Sequence, residues 1–230
     1  FLKLNSNGGI GTWAVARGST NGFTHRHGSV MFRGYLYLTG GESGCLLKSV
    51  QYSQVNNGGP GSTGSWTTSS NSMLTARDQL STAIYSGYIY TLGGSGPTTG
   101  CPSSCTTPRY NVVEYAPFNA DGTVGTFSAT TSLPSTRFNH ISSVYGGYVY
   151  VVGGATTDTS RARYARMLTT GGLASDSGCG STWCSTGESA QHRYNHSTAT
   201  INQYVYIGGG TDDGGNSLAT VEYAKMLSTG

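Results

Sequence analysis

An eight-residue motif recurs four times along the 230-residue chain, and it constrains the fold more than any other feature. The motif reads Gly-Tyr-x-Tyr-x-x-Gly-Gly and begins at Gly34, Gly87, Gly147 and Gln203, with glutamine replacing the first glycine in the last copy. Successive copies start 53, 60 and 56 residues apart. Recurrence at this spacing indicates one supersecondary unit repeated four times.

Each unit contains the signals of four antiparallel strands. A short alternating run precedes each motif (residues 27–32, 80–85, 140–145 and 196–201), and a two-residue hairpin turn separates it from the Tyr-x-Tyr strand. A third strand is predicted at residues 49–52, 112–115, 162–164 and 220–223, and a fourth carries Trp13, Trp66, Phe127 or Trp183. The sequence therefore predicts an all-β fold in which four-stranded antiparallel blades stack as a β-propeller.

This order of arginine, apolar strand, Gly-Tyr motif, later tyrosine and tryptophan resembles the kelch repeat of the kelch and galactose-oxidase-like propellers, in an extracellular bacterial form. The resemblance implies a single propeller domain over residues 1–230, with units at 14–66, 67–127, 128–183, and 184–230 completed by 1–13. Residues 1–10 align with residues 164–173, so the chain begins inside a repeat. Either the Trp13 strand completes the last blade, or the four repeats belong to a longer array.

Composition narrows the class of partner. Charged residues make up only 10% of the chain, against about 25% in typical domains, and glycine is abundant at 36 residues. The net charge is +3 without a Lys/Arg cluster, so no nucleic-acid partner is expected. No apolar run approaches the ~18 residues of a membrane span, so this segment is not expected to insert into a membrane. The surface is typical of an extracellular or cell-surface protein.

The five cysteines also bear on the compartment. Cys101 and Cys105 form one close pair, and Cys179 and Cys184 form another, both in Gly/Ser/Thr-rich loops. Two local disulfides in an oxidising compartment are the favoured prediction. Four thiolates around zinc are the alternative, although neither spacing is the usual CxxC. Cys45 is left over, either free or paired outside the segment.

Arginine and histidine recur at fixed distances before the motif. In a kelch-like blade the first strand is the innermost, so these residues are predicted to approach the mouth of the central channel: Arg26, His27, Arg77, Arg137, His140, Arg193 and His196. Unit two has Leu80 in the histidine position. The histidines could hold a metal and the arginines could hold an anion. Alternatively, both sets of residues could lock neighbouring blades together. Their recurrence in equivalent positions favours the scaffold role, and no metal or cofactor is predicted.

The loops that follow the Gly-Gly pairs differ in length and content, at residues 41–48, 95–109, 155–161 and 211–217. Variable loops on a rigid scaffold are how binding surfaces are usually built. The second loop is the longest, and Thr98, Thr99, Pro102 and Arg109 are its contact candidates. The alternative is a tolerated insertion without a partner.

These features predict a non-catalytic binding or adhesion module, extracellular or on the cell surface, that recognises protein or glycan through loops on one face. No catalytic residue is assigned. One alternative is a carbohydrate-active enzyme, oxidase-like or mutarotase-like, with an axial pocket. Another is a structural repeat of a surface layer or filament, held together by contacts between copies of the chain.

Overall fold

A computed structural model describes residues 25–56, 61–96, 108–155 and 161–228. Within these ranges the chain is all-β and contains no helix. It forms four small antiparallel sheets arranged in a ring, as the blades of a four-blade β-propeller. No described helix is available to cross a membrane.

The first two blades have four strands each, in simple up-and-down order. Blade 1 comprises β1 (Gly28–Phe32), β2 (Tyr35–Thr39), β3 (Val50–Gln54) and β4 (Thr67–Thr68). Blade 2 comprises β5 (Ser81–Tyr85), β6 (Tyr88–Ser95), β7 (Arg109–Pro117) and β8 (Ser128–Thr130).

The other two blades depart from this plan at their outer edge. Blade 3 comprises β9 (Ile141–Tyr145), β10 (Tyr148–Val152), β11 (Arg161–Met167), β12 (Leu173–Ala174) and β13 (Trp183–Glu188), where both β12 and β13 pair with β11. Blade 4 comprises β14 (Ser197–Ile201), β15 (Tyr204–Gly208) and β16 (Val221–Lys225). Its fourth strand was predicted around Trp13, which lies outside the described residues.

The hairpin between the first two strands of each blade follows from local backbone chemistry. In blade 1, Arg33 and Gly34 both have positive φ (47° and 80°), which is the geometry of a tight turn whose twist matches the strands. The turn brings Phe32 opposite Tyr35 and sets the register of the whole pair. The first strands begin one residue later than predicted, because the histidine or leucine that precedes each of them lies just outside the ladder.

Alternation along the strands gives each blade a tyrosine face and an aliphatic face. Opposite tyrosines of the second and third strands lie with ring centroids 5.7 to 6.0 Å apart: Tyr37 and Tyr52, Tyr90 and Tyr115, Tyr150 and Tyr164, and Tyr206 and Tyr223. In blades 1 to 3 the tyrosine face packs against the aliphatic face of the next blade, forming three buried clusters.

One tyrosine per interface also makes a polar link to the next blade. The hydroxyl of Tyr37 donates to the carbonyl of Gly122 at 2.9 Å, and that of Tyr90 donates to the carbonyl of Gly172 at 3.2 Å. The Tyr150 hydroxyl donates to Leu227 in the same way. Burial raises the pKa of the Tyr37 phenol to about 12, so this donor keeps its proton at neutral pH.

The Gly-Gly pair of the motif is needed where blades meet. The amide of the second glycine donates to the carbonyl of the recurring arginine in the next blade, as in Gly94 to Arg137 at 2.8 Å and Gly154 to Arg193 at 2.9 Å. At Gly94, where φ is +110°, an added Cβ would lie only 2.6 Å from the carbonyl oxygen of Asp78. Glycine and arginine therefore recur together because they form one contact between blades.

Candidate functional site

One end of the propeller gathers the first residues of the variable loops and the segments that enter the innermost strands. Isolated bridges join the two in every blade: His25 with Glu42, Asp78 with Ser95, Phe138 with Ala155, and Tyr194 with Thr211. The first residue of each pair precedes the innermost strand, and the second directly follows the Gly-Gly pair. A ligand at this end would meet the axis and the loops together.

Four residues with a left-handed backbone surround the axis at this end, and we call them the axial quartet. They are Arg26, Gln79, Asn139 and Asn195, one per blade, with φ between 53° and 57°. Three of the four amides donate to the carbonyl of the preceding member: Gln79 to Arg26 at 2.7 Å, Asn139 to Gln79 at 3.0 Å, and Asn195 to Asn139 at 3.3 Å. This chain of hydrogen bonds fixes the spacing of the blades around the axis.

Only Arg26 of the quartet was among the sequence candidates. The available signal was weak: asparagine adopts left-handed φ more readily than other non-glycine residues, and it precedes the histidine in two blades. Arginine and glutamine in the other two copies hide the pattern, because the shared property is a backbone conformation and not a side chain.

The quartet and the residues that follow it line an axial pocket of about 340 Å³. The second set of lining residues is the histidine position of each blade: His27, Leu80, His140 and His196. The structure therefore brings the three predicted histidines to one pocket. Among the described residues, however, no three His, Cys, Asp or Glu side chains form a group that could hold a metal ion.

The imidazoles of the pocket are neutral at pH 7. Burial, followed by the nearby Arg193 charge, lowers the pKa of His196 to about 4. Burial, with Arg137 next in importance, lowers the pKa of His140 well below its usual value, and burial also lowers that of His27. The Nε2 of His140 lies 2.8 Å from the Ser81 hydroxyl.

Several buried polar atoms of the residues that line the pocket have no protein hydrogen-bond partner among the described residues. Both ring nitrogens of His196, Nδ1 of His27 and the side-chain oxygen of Gln79 are in this state, although each atom is buried. His196 is only 8% exposed. A buried polar atom without a partner is costly, so these groups are suited to water or a polar ligand.

The three recurring arginines do not line this pocket, which corrects their assignment to the channel mouth. Arg77, Arg137 and Arg193 are 0%, 1% and 1% exposed, and their guanidinium groups lie inside the blades. Nη1 of Arg77 is 2.7 Å from Glu114, and Arg193 pairs with Glu222 in blade 4. Nη1 of Arg137 donates to the carbonyl of Gly153 at 3.0 Å. A ligand at the mouth would therefore not reach these groups directly.

Arg26 differs from these three because its side chain is 54% exposed. Its Nη1 lies 3.2 Å from Oε2 of Glu42 and 3.5 Å from Oδ2 of the buried Asp78. The Asp78 carboxylate also accepts a hydrogen bond from Ser95 at 2.7 Å. The Arg26 guanidinium group at the rim of the pocket is thus held in place by the carboxylates of Glu42 and Asp78.

The loop candidates are only partly described. Thr98, Thr99 and Pro102 lie outside the described residues. Arg109, at the start of β7, is exposed, and its guanidinium carbon lies 4.9 Å above the centre of the Phe138 ring. This cation–π contact fixes Arg109 at the loop end of the boundary between blades 2 and 3.

One predicted disulfide is confirmed: Cys179 is bonded to Cys184 between β12 and β13. Cys101 and Cys105 lie outside the described residues. Cys45 is disulfide-bonded, so the alternative that it is a free thiol is wrong. The disulfides are consistent with an oxidising compartment.

Comparison with known proteins supports the fold. No family model matches the chain, and no curated protein matches it. Among solved structures, the chain is similar to that of YjhT, with a TM-score of 0.67 and 15% sequence identity. The match covers 90% of this chain and 64% of that one, so the chain spans less than two thirds of the structure it resembles. At this identity the likeness extends to the fold alone: the chain has the architecture of a β-propeller with four blades.

Proposed function

We propose that this propeller is a non-catalytic, kelch-like binding module of an extracellular or cell-surface protein, and that it holds a neutral glycan at the axial pocket. The observation that carries the proposal is the lining of the pocket. Amide and imidazole groups surround it, and several of their buried atoms have no protein hydrogen-bond partner among the described residues. The first residues of the variable loops lie at the same end, where the loops can extend the contact.

The protonation state of the lining favours a neutral, hydroxyl-rich ligand. A neutral imidazole offers one donor and one acceptor, and a carboxamide offers both kinds of group. Sugar hydroxyls also donate and accept, so they can pair with either. Because the pKa values of the three histidines are lowered, they bring no positive charge to attract an anion at neutral pH. Arg26 is already paired with Glu42 and Asp78.

Screening the full chain against an array of neutral glycans, followed by calorimetry on the best ligand, tests the proposal. The informative variant is Asn139→Gly, which removes the side-chain amide and retains a residue that readily adopts the left-handed backbone. Asn202→Gly is the matched control, because Asn202 has the same φ of 54° but lies in the β14–β15 hairpin at the opposite end of blade 4.

Asn139→Gly should weaken binding by about tenfold, the loss of one or two hydrogen bonds to the ligand, while Asn202→Gly should leave the affinity unchanged. Failure to bind any neutral glycan would refute the proposal. So would a glycan whose affinity is the same for Asn139→Gly and the unmodified chain, because the contact would then lie away from the axial pocket. Selective binding of an anionic glycan would contradict the argument from neutral imidazoles.

A further inference from the structure

The residues that come directly before the axial quartet are not alike in chemistry, and we call their places the rim positions. Each of them makes an isolated bridge to the residue after the Gly-Gly pair, so the four places are equivalent in the fold. In the order of the blades they are His25, Asp78, Phe138 and Tyr194. Blades 1 and 2 therefore have ionisable side chains at the rim positions, whereas blades 3 and 4 have aromatic rings.

The ionisable groups of blades 1 and 2 are paired with one another. Oε2 of Glu42 lies 3.3 Å from Nε2 of His25 and 3.2 Å from Nη1 of Arg26. Asp78 is buried, and its carboxylate accepts a hydrogen bond from Ser95 at 2.7 Å. A ligand that left the axial pocket over these two blades would have to break such contacts, so the aromatic rim positions are the better exit.

Phe138, at the rim position of blade 3, is an aromatic residue without a place in the core. It is partly exposed and packs in none of the three buried apolar clusters. Its ring lies instead beneath the exposed Arg109 guanidinium, whose carbon is 4.9 Å from the centre of the ring. A cation over one face fixes the plane of the ring, and it leaves the opposite face as the one that a ligand can reach.

The backbone places Phe138 beside the axial pocket. Asn139 follows it directly and lines the pocket, so the two Cα atoms are about 3.8 Å apart. Both residues are held by backbone hydrogen bonds: the amide of Ala155 donates to the Phe138 carbonyl at 2.9 Å, and the amide of Asn139 donates to Gln79 at 3.0 Å. A sugar chain whose end contacts Asn139 can therefore bring its next residue to the Phe138 ring.

A pyranose ring is a suitable partner for an aromatic face. Its hydroxyls point outward around its edge, while one or both of its faces expose C–H groups. The face of an aromatic ring carries partial negative charge, so it attracts these C–H groups and buries apolar area at the same time. Ligand sites commonly combine such apolar or aromatic surfaces with a few polar groups. In this protein the amides and imidazoles of the axial pocket supply the polar groups, and Phe138 supplies the aromatic face.

We propose that Phe138 is a stacking platform for the second sugar residue of a glycan whose terminal residue occupies the axial pocket. Arg109 is the positioning residue that holds this platform. The inference rests on the proposed function and defines its ligand more closely. The ligand is an oligosaccharide of at least two neutral residues that leaves the pocket across the boundary between blades 2 and 3.

Binding of ligands of different length to the full chain tests the platform. The probes are the best neutral oligosaccharide from the array, measured by calorimetry, and the free monosaccharide from each of its ends, measured as a competitor. Phe138→Leu removes the aromatic face and keeps a large apolar side chain. It should weaken oligosaccharide binding by about 3- to 10-fold, the value of one aromatic contact, and leave monosaccharide binding unchanged. Asn139→Gly should weaken binding of both probes.

Arg109 is tested by the same comparison. Arg109→Met should weaken oligosaccharide binding alone, and Arg109→Lys, which keeps a cation for the ring, should restore most of it. Arg33→Met is the matched control, because Arg33 lies 5.0 Å above the Phe32 ring in the β1–β2 hairpin, at the opposite end of blade 1. It should not change binding of either probe.

Tyr194→Leu separates the two aromatic rim positions, because Tyr194 holds the equivalent place in blade 4. A loss of oligosaccharide binding with Tyr194→Leu but not with Phe138→Leu would overturn the proposal. It would also be overturned if Phe138→Leu weakened both probes equally, because the effect would then lie in the axial pocket. Equal affinity of the unmodified chain for the oligosaccharide and a monosaccharide would refute the platform and leave the proposed function standing, whereas absence of all glycan binding would refute both. Circular dichroism checks that each variant is folded.

Discussion

Replacing Glu114 with glutamine should reveal how strongly the recurring arginine stabilises a blade. Glu114 and Arg77 are 1% and 0% exposed, with 2.7 Å between Oε1 and Nη1. The carboxylate also accepts the backbone amides of Leu74 and Thr75 at 3.0 and 3.1 Å. Glutamine keeps the shape but removes the negative charge, and its NH2 group must face at least one of these donors.

The magnitude follows from burial. Removing one partner of a buried ion pair leaves an uncompensated charge and costs about 3–5 kcal/mol of unfolding free energy. For a domain of this size, that corresponds to a fall in Tm of roughly 6–20 °C. Arg77→Met combined with Glu114→Gln should cost less than the two single changes added together, because no unpaired charge then remains.

Blade 4 offers the matched control. Glu222 is the equivalent partner of Arg193, but its side chain is 20% exposed, so water can compensate part of the loss. Glu222→Gln should cost about 1–2 kcal/mol. Urea unfolding of both variants at pH 7, with unchanged slopes, measures the difference. A cost for Glu114→Gln below ~1 kcal/mol, or no larger than that for Glu222→Gln, would refute the assignment of the arginines to the scaffold.

Three further predictions concern glycine, histidine and cysteine. In urea unfolding, Gly94→Ala should lower the free energy of unfolding by at least ~2 kcal/mol more than Gly34→Ala does. Both glycines have positive φ, but only at Gly94 would the added Cβ lie against backbone atoms. The pKa of His196 falls from 6.5 to about 4 on folding, so stability should be full above pH 6.5 and decrease as the pH falls towards 4. His196→Leu should flatten that dependence, and an unchanged pH profile would contradict the argument. Non-reducing peptide mapping should recover Cys179 linked to Cys184, and an alkylated thiol at either position would exclude the pair.

Much of the fold could be predicted from the sequence, because its signals are local. The hairpin turns require positive φ in two adjacent residues, and the alternation of tyrosine with aliphatic residues marks the two faces of a strand. The first strands were therefore predicted to within one residue. The bond between Cys179 and Cys184 was equally accessible, because short spacing in a Gly/Ser-rich loop leaves few other partners.

The site was less predictable, because it depends on which side of each strand faces another blade. Arg77, Arg137 and Arg193 share the spacing of residues that could reach the channel, yet their side chains are buried within the blades. The axial quartet was missed for a related reason. Its members share a left-handed backbone and a hydrogen-bonded neighbour in the adjoining blade, and neither property appears in residue type alone.

The sequence by itself determined the repeating blade, since turn chemistry and two-residue periodicity act over a few residues. Only the tertiary structure decided that the histidines line an axial pocket as neutral groups, and that Arg109 lies over the ring of Phe138. The physical reason is that burial and desolvation are set by neighbouring blades, whose equivalent residues lie 53 to 60 positions apart in the chain. The Gly-Tyr motif specifies a blade, whereas the contacts between blades specify what the protein can bind.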